Sequence, residues 1–205
     1  MNLPKQDNYE IALSMAEDEL KRRDPADAAA KAAISPPHQN SLQLKFIDRN
    51  LIIDVESGKI TAEDGEEVNI ATKILALHYV NRADGAQPAD RWVTFAELEN
   101  GRVYQDVFRG RDEGRMAGMC AKDPDAWLAA VEKLGGEHGE LGDLSVNIQA
   151  FPQIPVFMVY WAGEEEIPPA GKILFDANIN NYLCTEDVAV MCDLILDRIK
   201  KELAG

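Results

Sequence analysis

Apolar residues change their spacing along the chain, and the spacing assigns the elements. Tyr9, Ala12, Leu13, Ala16 and Leu20 recur at three- and four-residue intervals, which places them on one face of a helix over 8–23. Asp24-Pro25 opens a second, alanine-rich helix that runs to about residue 34. Ser35-Pro36-Pro37 stops it, because two prolines cannot continue helical hydrogen bonding. The period then switches to two. Leu42, Leu44 and Phe46 alternate with Ser41, Gln43 and Lys45, and Leu51, Ile53 and Val55 repeat the pattern after a polar turn. Gly58 permits a further turn into a short strand near Ile60, so 41–62 reads as an antiparallel meander. Helical spacing returns over 67–81 through Ile70, Ile74 and Leu77.

Residues 82–95 read as a loop with Gly85 and Pro88, and 95–121 as short helices broken at Gly101 and Gly110. Asp123-Pro124-Asp125 combines a capping side chain, a proline at the first helical position and an acid in the first turn. Trp127, Val131 and Leu134 form the buried stripe of that helix, and Gly135 ends it. Leu144, Val146, Ile148 and Ala150 alternate with polar residues in a strand that must bend at Pro152 and Pro155. The continuous apolar run 156–161 suits a strand covered on both faces, in the middle of a sheet. Ile173-Leu174-Phe175 is a further short buried strand. Thr185 caps a last helix with acids at its positive end, Lys200 and Lys201 at its negative end, and Val188, Cys192, Ile195 and Ile199 on its core face. The expected architecture is one α+β domain over 1–205, with a mixed or mainly antiparallel sheet packed by several helices. It is helical at 8–34, 67–134 and 185–203 and strand-rich at 41–62 and 143–177. A chain of 205 residues suits one such domain, which buries roughly 70% of its unfolded surface.

Charge narrows the partners. The chain carries 21 basic and 36 acidic residues, a formal net of −15, which repels phosphate backbones and anionic membrane surfaces. A small-molecule ligand or a protein partner remains open, and no nucleic acid or membrane is expected. The longest apolar run, 156–162, has strand length, and the N-terminus lacks the basic start and apolar core of a signal peptide. A cytoplasmic protein is the expectation. Three scattered cysteines, Cys120, Cys184 and Cys192, make no disulfide framework and fit a reducing compartment.

The search for chemistry returns few candidates. Gly136, Gly139 and Gly142 follow a helix and precede a strand, the reverse of a dinucleotide-binding loop, and read as turns. His38, His78 and His138 have no second histidine at ligand spacing, and no metal site is assigned. Glu137, Glu140 and Asp143 around His138 suit a cation, or more simply a solvated loop. Cys192 reads as a buried apolar residue; Cys184 stands just ahead of a helix, where the dipole can lower a thiol pKa, and ordinary packing or turn chemistry is its simpler reading. Glu164, Glu165 and Glu166 follow the strand ending in Trp161, and Asp176 follows Phe175 at the end of another. If those strands are neighbours, the two acids project from one sheet edge and suit a cation or acid–base work, with Trp161 and Tyr182 as stacking walls. The competing reading is a solvated acidic turn and an aspartate that bonds its own loop amides. The candidate ligand-binding residues are Trp161, Glu165, Asp176 and Tyr182; no catalytic residue and no cofactor is assigned.

The block FPQIPVFMVYWAGEEEIPPAGKILFDANINNYLCTED resembles the C-terminal signature of the family numbered 3786 among domains of unknown function. Phe151, Pro152, Pro155, Trp161, Gly163, Glu164, Glu165, the triplet Leu174-Phe175-Asp176, Tyr182, Leu183 and Glu186 carry it, with weaker support around Trp92, Phe95, Gly101, Tyr104 and Phe108. The resemblance implies an uncharacterised protein of anaerobic bacteria and archaea, some relatives of which bear cysteine clusters for iron–sulfur centres. This chain departs from them in lacking such a cluster and in an acidic turn that reads Glu164-Glu165-Glu166 where the resemblance leads one to expect an aspartate. Three readings follow. The first is a soluble accessory or ligand-binding domain of anaerobic metabolism. The second is an enzyme using the Glu165/Asp176 carboxylate pair. The third is an acidic scaffold that docks a protein.

Overall fold

Helices and strands fall close to where the two spacings put them. The computed structural model describes residues 4–205, with side chains from residue 8 onward. One unit comprises the chain up to residue 87 together with 151–153 and 181–183; the other comprises 88–150, 154–180 and 184–205. The architecture is α+β, with helices and two antiparallel sheets.

The first unit begins with α1 (Pro4–Leu20) and α2 (Pro25–Lys31). α1 buries Ala16 and Leu20, while Tyr9, expected on the same buried face, stands exposed. Asp24 starts α2 as anticipated, accepting from the Asp27 N–H at 2.8 Å. The helix ends at Lys31, before the prolines, because Ala33 takes a left-handed φ of 54°. The meander consists of β1 (Ser41–Phe46), β2 (Arg49–Asp54) and β3 (Ile60–Ala62). Leu42 pairs with Ile53 and Leu44 with Leu51, so all four side chains enter the core together. Gly58 turns with φ +74°, and a Cβ there would approach the Glu17 Cβ to 2.8 Å. α3 (Ile70–Arg82) is capped by Asn69, which accepts from the Thr72 N–H. An aromatic column fills this unit: Phe46 meets Phe151, Phe151 stacks on Tyr79 at 4.5 Å, and Tyr79 stacks on Tyr182 at 5.2 Å.

The second unit holds a sheet in the order β4-β8-β7-β6-β5. Its strands are β4 (Trp92–Thr94), β5 (Glu137–His138), β6 (Leu144–Phe151), β7 (Ile154–Trp161) and β8 (Ala170–Asp176). β7 is central, as its unbroken apolar run predicts. The stretch expected as a loop over 82–95 contains β4, a three-residue edge strand too short to show a period. The helices are α4 (Gly101–Phe108), α5 (Gly114–Cys120), α6 (Pro124–Lys133) and α7 (Thr185–Ala204). Gly101 opens α4, as expected of a break there. Gly110 does not break the chain: it lies in a π-turn, Arg109–Glu113, that carries α4 into α5. Thr185 is not the cap of α7. Cys184 takes that position, and the Thr185 hydroxyl donates to the Glu99 carbonyl at 2.6 Å. Among the described residues no helix is long and apolar enough to cross a membrane.

β4 pairs with β8 only from Leu174 to Asp176, so the edge of β8 is bare before Leu174. The π-turn closes that gap. Glu113 is buried, accepts from the Ile173 N–H at 3.3 Å and pairs with Lys172 Nζ at 3.3 Å.

Candidate functional site

The register of β7 and β8 separates the carboxylates expected to cooperate. Trp161 faces Ala170, whereas Val156 faces Phe175, so Asp176 lies beside the start of β7 and Glu165 lies beyond its end. From Ala170 to Asp176 the strand advances roughly 20 Å at about 3.3 Å per residue. Consecutive antiparallel strands send their C-terminal ends to opposite edges, and an edge shared by Glu165 and Asp176 does not form. Trp161 is 43% exposed at one end, and Glu165 sits in the exposed turn after it. Asp176 is buried at the other end, where it accepts from the Ala89 N–H at 2.8 Å and the Asn178 N–H at 2.9 Å. It is a loop clamp, the simpler of its two readings. Tyr182 belongs to the first unit, buried, with its hydroxyl donating to the Ala86 carbonyl at 2.6 Å.

The cysteines behave as neutral thiols. Burial pushes Cys120 up to about 12 and raises Cys192 as well. Cys184 is raised too, by burial and by its bond to Asp187, to which its Sγ donates at 3.0 Å. Burial and the acid that completes the cap outweigh the dipole, which favours the simpler reading of Cys184, packing and turn chemistry, over a reactive thiolate. His138 is exposed on β5 opposite Val146, and no group of three or more metal-ligating side chains gathers among the described residues. Iron–sulfur clusters take thiolate ligands, commonly four. Three scattered, protonated cysteines do not fit one.

What the second unit does assemble is a cleft beside α4. This helix buries Gly101 and Phe108 and turns Val103, Tyr104 and Val107 outward, 77%, 61% and 62% exposed. Spacing alone reads those three as a core face, and only the roll of the helix shows otherwise. Two contacts set the roll. A Cβ on Gly101 would stand 1.9 Å from the Phe95 carbonyl oxygen, so the helix start lies flat against that residue. Phe108 stacks on Phe95 with ring centroids 4.0 Å apart. Between α4, Phe95 and the first turn of α7 opens a cleft of about 500 Å³. Phe95, Tyr104, Val107, Phe108 and Ala189 give it apolar walls, and Arg111 is the cation among its polar groups. Glu99, Asn100, Cys184, Thr185 and Glu186 complete a lining that is about half polar.

Arg111 also belongs to the π-turn, a distortion often found at functional positions. Its Nε donates to Asp112 Oδ2 at 3.2 Å, and its Nη2 lies 3.3 Å from Asp193 Oδ2. Asp112 is fully buried, 0% exposed. Its Oδ1 meets no protein donor, and Asp193 shares the Arg111 guanidinium with it. Burial first, and then Asp193, push Asp112 up to about 7 against the opposing pull of Arg111.

The fold is thus an α+β scaffold whose second unit pairs a cleft of mixed apolar and polar lining with a buried acid raised to about 7. The chain belongs to the family described as Domain of unknown function (DUF3786), whose sequence model matches residues 24–198. That match bears out the resemblance carried by the block 151–187. No curated protein and no solved structure matches the chain.

Proposed function

We propose that this protein is a non-catalytic ligand-binding module and that its ligand occupies the cleft between α4 and the start of α7. The observation that carries this reading is the outward pair Tyr104 and Val107 on the wall of that cleft, with the exposed Val103 beside them on α4. Exposed apolar side chains gathered in one patch cost solubility and mark binding surfaces. The cleft volume of about 500 Å³ lies within the range of ordinary ligand pockets. The setting in anaerobic metabolism enters through the family resemblance. The test is titration with the neutral fluorescent probe N-phenyl-1-naphthylamine. Val107→Asp changes an exposed position, so the variant keeps its fold by circular dichroism. It should bind the probe at least about tenfold more weakly, about 1.4 kcal/mol. Equal binding by the wild type and Val107→Asp would place the site elsewhere.

A further inference from the structure

On the reading that the cleft binds a ligand, we infer that this ligand is an amphipathic anion, a carboxylate or sulfonate on an apolar body, seated on Arg111, and that binding it draws one proton onto the Asp112–Asp193 pair. An arginine has five N–H donors on three nitrogens. Asp112 occupies Nε and Asp193 occupies Nη2, which leaves Nη1 of this cleft-lining residue without an acceptor among the described residues. An anionic head satisfies Nη1 while the body lies against Phe95, Tyr104 and Val107. Two acids also line the cleft, Glu99 and Glu186. Both are exposed to water, and Glu186 stands in the first turn of α7, where the helix N-terminus offsets its charge.

The proton follows from the sharing of one guanidinium. An anion at Nη1 draws positive charge away from Asp112 and Asp193. Negative charge on the buried Asp112 then loses compensation, and where the pair is ionised it responds by taking a proton from solvent. Where the pair is ionised, one ligand anion and one proton enter together, and only the O–H bond of the acid forms. Of the surrounding charges among the described residues, only Arg115 also reaches the pair, at Asp193. Arg109 pairs with Asp106 of α4, and Glu113 with Lys172 of β8. Arg115 of α5 pairs with Asp193 and Asp197 of α7, and Cys192 of α7 is a neutral thiol. By linkage, a ligand that favours the protonated pair binds more tightly where the pair is protonated.

The test is fluorescence titration with 1-anilinonaphthalene-8-sulfonate, whose sulfonate stays ionised across the range, from pH 6 to 8.5. Wild-type affinity should fall about tenfold over that interval, within the span typical of coupled sites. Asp112→Asn, which mimics the protonated acid, should hold the low-pH affinity throughout. Asp193→Asn, at a partly exposed position, removes the charge that helps to raise Asp112, so it should move the fall in affinity to lower pH, and it serves if the first variant loses its fold by circular dichroism. Arg111→Gln should weaken the sulfonate at every pH and leave neutral N-phenyl-1-naphthylamine unaffected. Sulfonate binding with a level wild-type profile overturns the coupling and leaves the cleft standing. No binding of either probe at any pH overturns the cleft, and the coupling with it.

Discussion

Asp112 is a carboxyl group sealed from water, and its folding energetics run opposite to those of an ordinary surface aspartate. Its folded-state value near 7 stands above the ordinary 3.8 of an exposed aspartate. Between those values the folded chain holds a proton that the unfolded chain has released, so stability falls as pH rises from about 4 to about 7 and then levels. Exposed acids held low, such as Asp54 by Ser57 and Asp84 by Asn181, act below that window and with the opposite sign. Urea midpoints measured from pH 5 to 8 should therefore decline for the wild type. Asp112→Asn should remove most of that decline and be the more stable protein at pH 8. A midpoint that rises with pH in the wild type would show that the group is ionised in the fold.

At the scale of elements, the π-turn is a patch on the edge of β8. Glu113→Ala leaves the Ile173 N–H buried without an acceptor and Lys172 without its partner. The expected loss is about 1–3 kcal/mol. Glu113→Gln keeps an acceptor oxygen and should lose less. Amide hydrogen exchange at Ile173 separates the two: the alanine variant exposes that amide and the glutamine variant protects it. Elements of this kind also mark the limit of what the sequence says. The meander, the capped helix after Asp123 and the central strand were legible because each pairs a clean period with turn or cap chemistry. β4 was not, since three residues show no period. Nor was the π-turn, because Gly110 reads as a break until neighbouring turns hold it in line. The cleft was hidden for a related reason: Val103, Tyr104 and Val107 have the spacing of a core face, and only Gly101 and Phe108, fixed against Phe95, decide which way it points. The Glu165–Asp176 pairing failed on register, which a list of strands does not contain.

For the whole molecule the dominant quantity is charge. A net of −15 spread over one chain repels itself, and the repulsion is greater in the compact state than in the expanded one. Raising sodium chloride from about 10 mM to about 150 mM shortens the Debye length from about 30 Å to about 8 Å. Calorimetry should show the melting temperature climbing over that range, by a few degrees. An unchanged or falling melting temperature would mean that the ion pairs around Arg111, Arg115 and Arg49 outweigh the repulsion.

The first unit takes most of its residues from the opening 87 positions, yet it also claims 151–153 and 181–183. Its aromatic column is half complete when the ribosome has made Phe46 and Tyr79, and it waits for Phe151 and then Tyr182. A nascent chain therefore carries an unfinished early core through most of its synthesis, with the face of Tyr79 uncovered for about 70 residues. Elongation at about 5–20 residues per second makes that a wait of several seconds. Rare codons placed between the two halves would lengthen it, and a holding chaperone would find its target at Tyr79.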